Sequence, residues 1–219
     1  ENNESNHIEY KGKDIKNEDF HKKSVSNITT YFSRFTEIDF SFSDITNMDS
    51  KFSVFYKTDF QNTVIKNSVF SRTHFVESNL NNTDFSGIYL STSNFLDSDL
   101  TNANFHNSNL RGVQINNAIL KNSDFTNADI SHSELKNLNF TTSYLENSNF
   151  SGSYIHHSVF DGRDFSSIKI NGETLSTTML TDCSIMNSIF LKNNMDSIDF
   201  TSKNILTLKG ERMTLPGSN

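Results

Sequence analysis

Histidine and aspartate side chains lie close together in the sequence where His156 and His157 precede Asp161 and Asp164. Such residues bind divalent metals or transfer protons when their side chains converge on one point. Adjacent residues of an extended chain point in different directions, so this spacing alone does not make a metal site. We therefore expect both histidines to lie on a solvated surface without a bound metal.

Carboxylates also recur at a fixed phase, each directly before a large apolar residue, as at Asp39, Asp59, Asp84, Asp99 and Asp124. Two carboxylates could act as general acid and general base, but their regular repetition predicts that they support turns or face water. The sequence shows no phosphate-binding loop, zinc-ligand spacing or nucleophile elbow. The single Cys183 excludes an internal disulfide framework. We predict that the protein is not an enzyme and uses no cofactor or metal.

The elements that carry these residues follow an unusual period. Only 34% of the residues are hydrophobic and the mean hydropathy is -0.54, which approaches the range of chains that do not fold. Yet every fifth residue from Ile15 to Ile205 is Phe, Leu, Ile, Val or Met, with Thr30 and Ser50 as the exceptions. A period of five fits neither an α-helix nor a β-strand. The few apolar residues are therefore concentrated where one repeating structure can bury them.

A small residue usually stands two places before each of these large residues, as at Thr83, Ser98 and Ala103. One large and one small inward side chain per unit suits a narrow tube, in which four units form a square coil of about 20 residues. With strands about 4.8 Å apart, roughly nine and a half coils give a rod about 45 Å long. We predict a single parallel β-helix.

The repeat resembles that of the pentapeptide-repeat family, in which a small residue stands two places before a central Leu or Phe. The units that carry the resemblance include Ala103-Asn104-Phe105, Ala128-Asp129-Ile130, Ser98-Asp99-Leu100, Thr83-Asp84-Phe85 and Ser123-Asp124-Phe125. The resemblance covers about residues 15–205. It implies an all-β fold, a single-stranded right-handed quadrilateral parallel β-helix, and it implies little about function.

The ends of the chain differ from the repeat. We expect a polar lead-in over residues 1–14, the β-helix over residues 15–205, and a C-terminal tail or partial cap over residues 206–219. Neither end has enough apolar residues to cover an open coil, so cover by another domain or subunit, an end-to-end homodimer and simple fraying are the alternatives. The chain begins with Glu1, which favours a module of a larger protein. No membrane span or signal peptide is visible.

The pattern breaks in two places. At Thr30 and Ser50 the inward partners two places earlier are large, Ile28 and Met48, which predicts an exchange of volume within each unit. In the same region three Phe residues are out of phase, and we expect locally irregular coils that tuck them in, with an exposed contact for a partner as the alternative. The three out-of-phase residues are Phe32, Phe42 and Phe52.

Near the other end, charged or polar residues stand where the repeat has small ones, which favours a loosened helix over a polar pocket. These residues are Arg163, Glu173, Asn193 and Lys203.

Two exterior features are candidate binding surfaces. Ile119, Val159 and Met179 are predicted to share one exterior column that is interrupted by Asn139, with Tyr154 on the next face. Exposed apolar columns mark protein contacts. A mild acidic band, free of Lys and Arg over the stretch from Thr73 to Leu110, contains the four carboxylates of Glu77, Asp84, Asp97 and Asp99.

The first functional hypothesis is a non-catalytic scaffold that binds a protein partner. The fold resembles the β-helical module of secreted bacterial ubiquitin-ligase effectors, which implies a bacterial protein, in the cytoplasm or secreted into a host cell. The alternative is a DNA-mimicking inhibitor or protector of DNA gyrase or topoisomerase IV, as in quinolone-resistance pentapeptide proteins, for which the acidic band would be the site. A net charge of -7 argues against direct binding to nucleic acid.

Overall fold

The computed structural model describes residues 7–170, 178–181, 183–185, 188 and 198–199, and all its regular elements are short parallel β-strands. The strands are β1 (Ile8–Glu9), β2 (Asp14–Lys16), β3 (Ser24–Thr29), β4 (Arg34–Thr36), β5 (Asp44–Asp49), β6 (Val54–Tyr56), β7 (Val64–Lys66), β8 (His74–Val76), β9 (Asn94–Leu96), β10 (Gln114–Asn116), β11 (Glu134–Lys136), β12 (Tyr154–His156), β13 (Thr178–Thr181) and β14 (Ile198–Asp199). The predicted all-β solenoid is confirmed.

Successive coils pair with each other along the rod. A ten-stranded sheet runs in the order β14-β13-β12-β11-β10-β9-β8-β6-β4-β2, and a four-stranded sheet in the order β1-β3-β5-β7. The remaining sides are joined by single parallel bridges such as Asp59 with Asn79. Partners such as Ile15 and Phe35 lie 20 positions apart, so the predicted coil length is correct for this part of the chain.

The chain turns a corner at every fifth residue, where the backbone has a positive φ, as at Asn62 (54°) and Asn82 (55°). Asn is the commonest corner residue because it tolerates the left-handed conformation better than other residues with a Cβ atom. The corners therefore explain why this Gly-poor sequence is rich in Asn.

Large inward side chains form ladders in the interior. Phe105 is fully buried and stacks between Phe85 and Phe125, with ring centroids 5.3 and 5.0 Å away. Many of the small inward residues donate hydrogen bonds to the preceding coil, as Thr83 Oγ1 does to the Phe60 carbonyl at 2.8 Å. The tube is thus filled by rings and by hydroxyl groups whose hydrogen bonds are made inside it.

The predicted exchange of volume near the N-terminus is confirmed. Thr30 and Ser50 are fully buried and their hydroxyl oxygens lie 2.7 Å apart, while Ile28 and Met48 are also buried and paired one coil apart. Near the other end, Arg163 is half-buried and its Nη1 donates to the Ser143 carbonyl at 3.1 Å. A charge is thus accommodated at an inward position by turning toward the preceding coil.

Within the described residues, the register between coils changes after Lys169. Lys169 still pairs with Asn149, 20 positions earlier, but Met179 pairs with Tyr154, 25 positions earlier. Five additional residues therefore lie between Lys169 and β13. The prediction that Met179 shares a column with Val159 is wrong, because Ser184 occupies that place. An added unit of five keeps the inward phase, so the sequence pattern does not reveal it.

The coils begin earlier than the predicted boundary at residue 15. Strand β1 pairs Ile8 with Ile28, and Tyr10 packs edge-on against Phe35 at 5.9 Å. Tyr10 holds the phase of the repeat although it is not an aliphatic residue or Phe, which is why the pattern begins late. The predicted end at Ile205 and the tail over residues 206–219 lie outside the described residues.

Candidate interaction surfaces

The repeated carboxylates are turn-supporting groups, as predicted. Asp59 Oδ1 accepts a hydrogen bond from the Gln61 amide at 2.8 Å, and Asp124 Oδ1 accepts one from the Thr126 amide at 2.8 Å. Each carboxylate therefore holds the corner that follows it. Among the described residues, no group of three or more His, Cys, Asp or Glu could hold a metal ion.

His156 differs from the expectation of a solvated histidine. It is buried, its ring stacks on Tyr154 with centroids 4.5 Å apart, and its Nε2 lies 3.9 Å from Glu134 Oε1 without a hydrogen-bond partner. Burial, followed by the nearby charge of Lys136, lowers the pKa of His156 below its ordinary value, although Glu134 acts in the opposite direction. His157 is exposed, as expected.

A single exterior column contains residues of both predicted surfaces. In chain order it consists of Asp19, Asp39, Asp59, Asn79, Asp99, Ile119, Asn139 and Val159, each one coil above the last. Ile119 is 56% exposed and Val159 is half-buried. We call this set the exterior column. Its N-terminal half is acidic and its C-terminal half is largely apolar, so the two predicted features meet where Asp99 pairs with Ile119.

The other predicted surface residues are distributed over neighbouring positions. Tyr154 is 38% exposed and is paired with Met179 on the face before the exterior column. Glu77 and Asp97 are stacked corner residues beside the column, whereas Asp84 lies on the following face, between Val64 and Asn104. The predicted acidic band is therefore split. The predicted acidic band did not include the ladder of Asp19, Asp39 and Asp59, although these residues recur at intervals of 20 in the sequence.

A third surface was not recognised from the sequence. The outer side of the ten-stranded sheet, which we call the β6 face, carries four half-buried apolar residues in adjacent positions over three coils, namely Val54, Tyr56, Val76 and Leu96. All four stand where the repeat usually places polar residues. The recurrence of Tyr56, Val76 and Leu96 at intervals of 20 is the sequence feature that indicates this surface.

Two exposed Phe residues form the corner beside the β6 face. Phe32 and Phe52 are 64% and 39% exposed, have φ values of 55° and 61°, and stack with centroids 4.9 Å apart. The Arg72 guanidinium continues the stack 5.1 Å from the Phe52 ring. The expected irregular coils that bury these rings are wrong, because the corners there have the same backbone as elsewhere. Phe42, on the diagonally opposite corner, is likewise 50% exposed.

The two edges of the β6 face carry opposite charge over its apolar coils. Arg34 lies on the β6 face itself, one coil before Val54 and on the side nearest the Phe corner. Arg72 is a corner residue of that edge, and Lys51, directly before Phe52, has its Nζ 3.0 Å from Asp49. The hydrogen bond to Asp49 raises the pKa of Lys51, so it stays charged. The other edge consists of the corner residues Glu37, Lys57, Glu77 and Asp97. One edge is therefore cationic and the other is net anionic.

The depressions on the described surface are partly open to solvent. One, of about 430 Å³, is lined by Tyr144, Glu146, Arg163 and Asp164 among others, and another, of about 390 Å³, lies beside Ile119 and Asn139. Glu173, the other residue considered for a polar pocket, lies outside the described residues. Within the described residues there is also no helix of the length and apolarity needed to cross a membrane.

Short parallel strands, a filled interior and a corner every five residues define the class of protein as a β-solenoid built from five-residue units. The sequence matches the family model of pentapeptide repeats in eight copies, which together span residues 53–162. The protein belongs to the pentapeptide-repeat family.

Solved structures with a similar fold include HetL, a pentapeptide repeat protein involved in heterocyst differentiation regulation in Nostoc, at 13% identity and a TM-score of 0.43, covering 89% of this chain and 90% of that one. Trypsin-treated QnrB1, a plasmid-mediated fluoroquinolone resistance protein, is similar at 15% identity and a TM-score of 0.42, covering 88% and 89%. No curated protein matches the sequence significantly.

Proposed function

We propose that the protein is a non-catalytic scaffold that binds a protein partner on the outside of its β-helix. The observation that carries the proposal is the exterior column, in which the apolar residues Ile119 and Val159 continue an acidic ladder at Asp99 on one side of the rod. A rigid, filled tube presents such residues at fixed spacing without the cost of ordering a loop. Tyr154, which is 38% exposed, extends the contact onto the neighbouring face.

The chemistry of the described surface supports binding over catalysis. An active site needs convergent groups in a pocket that excludes water. Here the repeated aspartates support corners, and the depressions are partly open to water. We place the scaffold in a larger bacterial protein, in the cytoplasm or secreted into a host cell, where another part of the protein would supply any catalytic activity.

The test compares two outward substitutions with a matched control. Ile119→Thr with Val159→Thr should abolish capture of proteins that the unmodified chain retains from bacterial and host-cell lysates. Tyr89→Thr should retain them, because Tyr89 is 58% exposed but lies outside the column. Thermal melting by circular dichroism checks that all variants fold. Equal capture by the double variant and the control would contradict the proposed surface.

A second candidate function is inhibition or protection of DNA gyrase or topoisomerase IV by a surface that imitates DNA. The acidic ladder favours it, since Asp19, Asp39 and Asp59 follow one another at the coil spacing of about 4.8 Å. Duplex DNA carries one charge per about 1.7 Å, so five coils would need about 14 charges to match it. The ladder supplies far fewer, which favours the scaffold.

A supercoiling assay separates the two functions. The gyrase hypothesis predicts that the protein inhibits supercoiling, or protects it from a quinolone, and that Asp97→Asn with Asp99→Asn weakens this effect. The scaffold hypothesis predicts full gyrase activity at a large excess of the protein. The Val159→Thr variant serves as the control, because it should leave any gyrase effect unchanged.

A further inference from the structure

The exposed Phe residues at the corner of the β6 face lie outside the buried interior of the rod. A bulky side chain in the left-handed region is an uncommon choice, and Asn fits the same corner elsewhere in the rod. Burial does not compensate for Phe32, because 64% of the residue faces water. Its stacking on Phe52, and that of Arg72 on Phe52, continues the apolar surface of Val54 and Tyr56 around the corner. Such a surface is typical of a protein contact.

We propose that the β6 face binds a second copy of this chain, in a side-by-side dimer with the two rods parallel. Charge complementarity between the two edges supports this arrangement. A twofold axis along the rods places the cationic edge of one copy opposite the anionic edge of the other, coil for coil. Arg72 of one copy then lies opposite Glu77 of the second copy, and Arg34 lies opposite Thr36 and next to Glu37, on both sides of the apolar centre.

The alternative antiparallel arrangement is disfavoured by the same charges. Turning one rod end for end would bring the two cationic edges together, and like charges across an interface cost several kcal/mol. The parallel arrangement also suits the upper coils. There the acidic Glu134 begins β11 and the basic Lys136 ends it, the reverse of the charge order in the lower coils. In the parallel dimer Glu134 of one copy therefore faces Lys136 of the other. The face thus complements itself in one orientation.

The size of the apolar centre sets the expected affinity. Its residues and the adjacent Phe corner span four coils, about 19 Å at the usual strand spacing. A three-residue strand is about 10 Å long, so the patch covers roughly 200 Å², well below the roughly 800 Å² per partner of a standard stable interface. We therefore expect a reversible dimer with a dissociation constant of about 1 to 100 µM. The exterior column lies on a different side of the rod and stays open to a partner protein.

Sedimentation velocity from about 1 to about 300 µM, which spans that dissociation constant, tests the proposal. Two charge-reversal variants are designed as a pair: Arg34→Glu with Arg72→Glu, and Glu37→Arg with Glu77→Arg. Each variant alone gives both edges one sign and should weaken self-association at least about tenfold. Mixed in equal amounts, the two should form a heterodimer, since opposite charges meet again on both edges. Recovery of association in the mixture is expected only if the two rods are parallel and related by the twofold axis.

A second pair of variants tests the Phe corner without changing charge. Phe52→Asn should weaken the dimer, whereas Phe42→Asn is the matched control, because it makes the same substitution at a corner with nearly the same φ on the opposite side of the rod. Both variants should keep their melting temperature. A monomer at all concentrations, a dimer that tolerates the charge reversals, or failure of the mixed variants to associate would overturn the proposal.

Discussion

Replacing Phe105 by Ala should remove a large part of the stability of the rod. The side chain is fully buried and touches rings above, below and beside it, with the Phe95 centroid at 5.8 Å in an edge-on arrangement. Truncating a buried Phe to Ala costs about 3 to 5 kcal/mol through lost transfer energy and the cavity left behind. Each lost ring pair accounts for about 0.5 to 1.5 kcal/mol of the specific contact energy. Compared with a typical total of about 5 to 15 kcal/mol, this is a severe loss.

The assay is urea denaturation followed by far-ultraviolet circular dichroism, which suits a chain without Trp. The control is Asn107→Gly, two residues later, where the side chain is exposed and φ is 56°. Gly accepts this conformation, so the change should stay within about 0.5 kcal/mol. Equal losses in the two variants would refute the assignment of inward and outward positions.

Three further predictions concern packing, turns and pH. Ile28→Ser and Thr30→Leu should each destabilise the protein by about 1 to 4 kcal/mol in urea denaturation, and the double variant should lose less than their sum, because volume is exchanged within one unit. Asp59→Ala should cost about 1 to 2 kcal/mol by removing the acceptor for Gln61, whereas Asp59→Asn should keep most of the stability, since its amide oxygen can still accept; an equal loss in both would implicate charge instead. His156 has a lowered pKa in the folded state, so the unfolded chain binds the proton first and stability should fall as the pH drops below about 6.5. His156→Leu should reduce this dependence of the melting temperature on pH, measured between pH 7.5 and 5. An unchanged pH dependence in the variant would contradict the assignment.

The sequence predicts the interior well because burial imposes a strict phase of five. Phe105, Ser98 and Ala103 all point inward as expected, and even the exceptions Thr30 and Ser50 are buried. Each inward position is decided by contacts within one unit and with the coils on either side. Because these requirements are local, the residue type at each position indicates whether its side chain points inward.

The surface was harder to predict, since it depends on which units lie above one another. Met179 was placed over Val159 by counting 20 residues, whereas backbone pairing places it over Tyr154. His156 was expected in water because its burial depends on the ring of Tyr154 and on the sheet around it. The β6 face required comparing Tyr56 with Val76 and Leu96, residues far apart in sequence and next to each other in space.

The change of register after Lys169 has a consequence for how such rods diverge. A gain or loss of one whole unit leaves every inward residue inward, so the interior absorbs it with a local adjustment. All residues beyond that point nevertheless move by one side of the square relative to the preceding coils, as Met179 does. A single duplication or deletion of five residues can therefore build a new exterior surface from unchanged side chains, without any point substitution.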